Sequence, residues 1–298
     1  MDIAKLFRWI PHENYRNPPP VVSVIRLSGT IGVGSALRRG LSLAELAGPI
    51  NRAFKQPRLK AVALAINSPG GAAAQSALIA KRIRDLAEEK DVKVYAFCED
   101  VAASGGYWLA CAADEIYAQE SSLVGSIGVI ASAFGFQEAI KKVGVERRLY
   151  TAGENKSLLD PFQPARKKDV DRLKRLQGEI HESFKSYVRA RRGDRLKGKE
   201  EELFSGEIYA GRKAQEVGLI DGLGDLRAIL RERYGERVQL RRVDGEKSWL
   251  RRRFGLSQLT GAVGGGAGLG LADWRPQDLA DGALAAVEER ALWSRFGL

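Results

Sequence analysis

Cysteine and histidine are scarce in this 298-residue chain: two of each, Cys98, Cys111, His12 and His181. Two cysteines make no disulfide framework and suit a reducing compartment. No cysteine–histidine cluster has metal-ligand spacing, so neither a metal site nor a cofactor is expected. His12 sits in a polar, proline-flanked tail and His181 in a charged helical pattern. A Ser-His-Asp triad is therefore poorly supplied. Nucleic-acid motifs are lacking, and no nucleic-acid partner is expected. Long apolar runs are lacking too. Met1 to Ile10 carries Asp2, Lys5 and Arg8, which excludes a secretory signal or a membrane span there. Phe254 to Ala272 has nineteen residues and no charge, but seven are glycine. That composition reads as a flexible linker or an interfacial loop rather than a span.

What is present is ordinary core material, 44% hydrophobic against 29% charged, enough for one large domain or two small ones. The net charge of +11 is uneven: between Arg166 and Lys199 there are thirteen Lys and Arg against five Asp and Glu. Arg251-Arg252-Arg253 adds a compact triplet. A basic face can be solvated surface, an anionic-membrane contact or a nucleic-acid contact. The triplet beside the uncharged run suits anionic headgroups, which predicts weak, salt-sensitive membrane contact.

Two stretches share one pattern. Val62 to Ile66 is an apolar strand candidate running into Asn67-Ser68-Pro69-Gly70-Gly71, then a helical pattern from Ala73 to Glu88. Val92 to Phe97 leads into Asp100-Val101-Ala102-Ala103-Ser104-Gly105-Gly106-Tyr107-Trp108, then a helix-compatible run to Ala113. Each reads as strand, glycine turn, helix. Parallel units of this kind bring their turns together at one edge of a sheet. Ser104 then stands at a helix N-terminus. There it is either a helix cap or an acyl-transfer nucleophile, beside N–H groups suited to an oxyanion.

Elsewhere Val21 to Leu27, Glu115 to Ala118, Val129 to Ile130, Glu146 to Thr151 and Val238 to Val243 predict strands. Ser42 to Phe54, Gln137 to Val143 and Leu226 to Tyr234 predict helices. Val170, Leu173, Leu176, Ile180, Phe184 and Tyr187 recur at three and four, which predicts a long amphipathic helix. Gly153 to Phe162 has no period, and Asp278 to Phe296 predicts a last helix.

Several of these motifs occur together in the order seen in a known family. They are Asn67-Ser68-Pro69-Gly70-Gly71, Ala103-Ser104-Gly105-Gly106-Tyr107, Ala112-Ala113-Asp114, Gly125-Ser126-Ile127-Gly128-Val129 and Gly153 to Lys156. Gly206-Glu207-Ile208-Tyr209 and Gly218-Leu219-Ile220-Asp221 follow. From Val21 to Val243 the chain resembles the S49 family of Ser-Lys peptidases, the signal peptide peptidase A group. The resemblance implies an α/β fold of the Clp protease/crotonase type, with repeated ββα units and helical appendages. It implies Ser104 as nucleophile and Lys156 as general base, with Gly71 and Gly105 as oxyanion-hole donors and Ser126 orienting the base. A lysine can serve as base only when neutral. Its reference pKa is about 10.4, and desolvation lowers it by up to ~3–5 units. The bacterial members begin with a membrane anchor, which is not expected here.

The domains read as a tail over 1–20, a peptidase domain over 21–243, and a glycine-rich linker with a terminal helix over 244–298. The expected activity is hydrolysis of unstructured peptides such as remnant signal peptides. The expected partners are those peptides, further copies of the chain in an octameric ring, and an anionic membrane touched peripherally. The expected place is the cytoplasm, at the inner face of the cell membrane. Two rivals are a non-catalytic membrane-associated pseudopeptidase scaffold and a crotonase-type acyl-CoA enzyme. The second would need a carboxylate acid or base, and nothing marks one.

Overall fold

The computed structural model describes residues 17–32, 40–243, 286–287 and 289–298. The predictions that fall on His12, Arg251-Arg252-Arg253 and the run from Phe254 to Ala272 lie outside the described residues.

The scaffold is an α/β sheet of eight strands. Strand β1 (Val21–Ser28) is followed by α1 (Leu43–Phe54), β2 (Leu59–Ser68), α2 (Ala73–Lys90) and β3 (Lys93–Ala103). Then come α3 (Gly105–Ala110), β4 (Glu115–Ala118), β5 (Leu123–Gly125) and α4 (Gln137–Lys142). The chain continues through α5 (Lys167–Arg192), α6 (Glu200–Leu203), β6 (Ile208–Ala210) and α7 (Gly211–Glu216). It closes with β7 (Gly222–Leu223), α8 (Leu226–Tyr234) and β8 (Gln239–Arg242). The main order is β6-β5-β3-β2-β1-β8, with β4 beside β3 and β7 beside β4. All pairings are parallel except β5 with β6.

A parallel sheet is covered on both faces, so its central strands are apolar almost throughout. Val62, Leu64 and Ile66 of β2 point into the larger core, against Ile79 and Ile83 of α2 and Ile50 of α1. Ala61 and Ala63 point the other way, into a smaller core with Tyr95, Phe97, Tyr117 and Leu230 of α8. Ile79 and Ile83 are fully buried. Burial of such side chains contributes about 1.5–3 kcal/mol each, which seats α2 and the turn before it. Ser42 caps α1 by accepting a hydrogen bond from the Glu45 N–H.

A buried polar knot ties α5 to the sheet. Arg192, only 1% exposed, donates to the Gly218 carbonyl and to Asp221. Asp221 also accepts from the Ile116 N–H at 2.7 Å. Burial alone would raise the Asp221 carboxyl. Its hydrogen bond and charge contact with Arg192, with Arg195 further off, hold it below the ordinary value.

The structure departs from the sequence-based expectation at two strands. Val129 to Ile130 and Glu146 to Thr151 form none. Their β-forming residues have no neighbouring strand to pair with, and a lone strand does not stand in water. From 131 to 156 nearly every residue is exposed. Phe134, Phe136 and Phe162 cluster there, with the Arg147 guanidinium over the Phe162 ring.

Candidate active site

Both glycine turns lie at the edge where the parallel strands end. The bulge between Ile66 and Ser68 brings Ser68 opposite Ala102, which sets the turns side by side. Strand β3 runs on to Ala103, further than its apolar run suggests, and delivers Ser104 directly to the first turn of α3. Ser104 has φ 52. A non-glycine residue in that region is strained and persists only where its surroundings over-determine it. They do so here: the Ser104 N–H donates to the Gly125 carbonyl at 2.8 Å, and its carbonyl accepts from the Trp108 N–H.

Gly71, at φ 142, is pressed against β1's continuation. A Cβ there would collide with the Ile31 carbonyl. The Ile31 N–H bonds the Gly70 carbonyl and the Ala72 N–H bonds the Ile31 carbonyl, which leaves the Gly71 N–H out of the ladder. The Gly105 N–H, first in α3, has no helical acceptor. Among the described residues neither amide donates to any acceptor. Ser104, Gly71 and Gly105 line one cleft of about 590 Å³, and Ser126 lines it too. Ser126 has φ 51, and its N–H is fixed to the Glu207 carbonyl at 2.7 Å. Neither the Ser104 nor the Ser126 hydroxyl makes a hydrogen bond among the described residues.

Lys156 is not brought to this cleft. Its side chain is exposed on the outer segment, in a turn closed by its own N–H to the Gly153 carbonyl. That segment is braced by Phe136 N–H to the Pro161 carbonyl and by the Lys168–Glu154 ion pair. Within one copy of the chain, then, the serine and the lysine stand apart.

Sequence reasoning missed His181. It lines the cleft from α5, and its Nε2–H donates to the Ile127 carbonyl at 3.0 Å. The signal was its place one turn before Phe184, which is buried and stacked on Trp108 at 4.6 Å between ring centroids. Leu292 and Arg295 were missed as well; both line the same cleft. The two cysteines are fully buried, and burial pushes both thiols up to about 12, so neither offers a thiolate.

The sequence model of peptidase family S49 matches residues 86–239. Over 214 residues the chain is 32% identical to the serine protease SPPA of Arabidopsis thaliana chloroplasts, covering 70% of this chain and 31% of that one. It is 34% identical over 168 residues to a putative signal peptide peptidase SppA of Enterococcus faecium, covering 56% of this chain and 48% of the other. A protein of Brucella abortus named Na(+)/H(+) antiporter NhaA is 48% identical over 299 residues. The match takes in 98% of this chain and only 39% of that longer protein. The antiporter name is that of the longer protein. No helix among the described residues is long and apolar enough to cross a membrane. The chain spans under half the length of each of these relatives. With the family match over more than half of its residues, and Ser104 in a glycine-lined cleft, this chain belongs to peptidase family S49.

Proposed function

We propose that this chain is a Ser-Lys endopeptidase that cuts unstructured peptides, remnant signal peptides among them, through an acyl-enzyme on Ser104. The observation that carries it is Ser104 held at φ 52 in a cleft beside two unengaged N–H groups, those of Gly71 and Gly105. The Ser104 hydroxyl attacks the peptide carbonyl carbon while neutral Lys156 takes its proton. The resulting oxyanion is held by the Gly71 and Gly105 N–H groups. Collapse breaks the C–N bond, and the lysine returns the proton to the leaving amine. Water then attacks the ester by the same route and frees Ser104. Ser126 orients the lysine.

Lys156 comes, in this reading, from a neighbouring copy in an octameric ring. The exposure of its segment and of Phe134 and Phe136 in the aromatic cluster there supports that arrangement. The basic triplet and the uncharged run give a salt-sensitive contact with the inner face of a membrane.

A second reading makes His181 the base, because it lines the cleft within the same copy. Its Nε2–H is committed to the Ile127 carbonyl, which leaves Nδ1 as the acceptor. A fluorophosphonate probe with active-site variants tests both. Ser104→Ala should abolish labelling and lower peptide cleavage at least ~10³-fold. Lys156→Ala should match it, and His181→Ala should retain most activity. Labelling of Ser104→Ala at the wild-type rate removes Ser104 from the mechanism. A silent His181→Ala beside an active Lys156→Ala gives the base to His181.

A further inference from the structure

A second cavity, of about 720 Å³, opens on the other face of the sheet at the same strand ends. Val24, Phe97, Leu226 and Leu240 make its apolar wall, and Arg26 with Glu99, an ion pair at 2.6 Å, forms part of its rim. None of the groups in the proposed chemistry lies in it. Phe296 and Leu298 do. Two residues from the same stretch, Leu292 and Arg295, line the Ser104 cleft instead. The stretch is helical over 286–287 and 289–294 and then turns. Leu292 lies in the helical part and Phe296 in the turn just beyond it, and both are half-buried. The two cavities are close enough to be bridged this way. Leu123 lines one and Ser126 the other, three residues apart, or about 10 Å at strand rise.

We propose that the 286–298 stretch is a removable cover of the active-site cleft, with the second cavity as the anchoring site for its apolar side chains. The ligand class the second cavity takes is thus a peptide segment bearing aromatic and aliphatic side chains, here Phe296 and Leu298. A substrate peptide must reach Ser104, Gly71 and Gly105, which share their cleft with Leu292 and Arg295. Cover and substrate therefore exclude one another. The hold is shallow: Leu298 stays 46% exposed, Arg295 is exposed and Val287 is 59% exposed. By contrast β8 is bonded along four residues of β1. A cover seated by a few half-buried side chains is displaced without disturbing the sheet. Its competition with substrate rests on the peptidase reading; its docking does not.

The test uses the full chain and the double substitution Leu292→Asp, Phe296→Asp. Amide hydrogen exchange should quicken at 126–130 and at 289–294, with the sheet unchanged. A labelled synthetic peptide of residues 286–298 should bind the double variant more tightly than the unaltered chain. In cleavage of a short fluorogenic peptide, KM should fall about tenfold at unchanged kcat if the cover is closed nine-tenths of the time, since apparent affinity scales with the open fraction. Unchanged exchange together with no gain in peptide binding overturns the docking. Faster exchange with an unchanged KM overturns the competition. If neither chain cleaves the peptide, the peptidase reading fails, while exchange and peptide binding still decide for or against the docked cover.

Discussion

The two halves of the proposed catalytic pair sit in opposite kinds of structure. Around Ser104 the backbone is fixed from every side: β3 ends there, Gly125 accepts its N–H, and Gly71 is wedged on Ile31. Around Lys156 the chain is a string of turns, and the nearby α4 buries none of its side chains. Upstream of Phe184 the apolar face of α5 is also uncovered, with Leu176 44% and Ile180 40% exposed. A strained nucleophile needs a rigid seat. On the outer segment Phe134 stays 68% and Phe136 44% exposed, and exposed aromatic side chains suit contact with another surface. On the proposed reading, the contrast teaches that one copy carries the oxyanion donors in finished form and leaves the base to be supplied from outside.

The sharpest way to break that contrast is to mix inactive copies. Ser104→Ala and Lys156→Ala chains, each silent alone, would be co-refolded in equal amounts. A base shared between neighbours restores about a quarter of the sites, because half the serines and half the facing lysines are intact. No recovery in verified mixed oligomers would put both groups in one copy. Lys156→Arg should stay silent in either arrangement, because arginine does not give up its proton.

A smaller effect sharpens the rigid side. Asp221→Asn strands the buried Arg192 charge and should cost about 3 kcal/mol in urea unfolding at neutral pH. The Asp221 carboxyl is held below its ordinary value in the fold. Its ionised form therefore stabilises the protein above the unfolded pKa, and that contribution is lost as pH falls through the folded value. The gap between wild type and variant should be full above about pH 4 and narrow below it. A gap that widened in acid would contradict the pairing.

The last comparison sets two single methyl groups side by side. Gly71→Ala drives a Cβ into the Ile31 carbonyl and should cost about 2–4 kcal/mol, along with most activity. Gly135→Ala on the outer segment meets nothing within 4 Å and should stay within about 0.5 kcal/mol. Equal thermal midpoints for the two would erase the difference drawn between the regions.

The elements around Ser104 were legible because their signal is local. An apolar run, a glycine pair and a period of 3.6 all lie within thirty residues at each turn. The long helix α5 announced itself the same way, and its buried residues Phe184 and Val188 lie on the predicted face. What stayed hidden depends on distant partners. Strands β5 and β6, three residues each, are too short for any period; β5 exists because it pairs with β3 on one side and β6 on the other, and β6 because it pairs with β5. Glu146 to Thr151 has strand composition but no neighbour, so it forms none. His181 reaches the cleft through a hydrogen bond to a residue 54 positions away, a relation no window of sequence contains.

The pairing of β8 with β1 has a consequence for how the molecule is made. Val21 stands against Gln239, so the outer edge of β1 is closed by a strand synthesised more than two hundred residues later. Until Arg242 has left the ribosome, a buried, valine-rich strand presents bare N–H and C=O groups. Such an edge is a template for pairing with other chains, and contacts so far apart in sequence form late. The nascent protein therefore carries its greatest aggregation hazard just before β8 arrives, and a ribosome stalled within α8 would leave that hazard exposed.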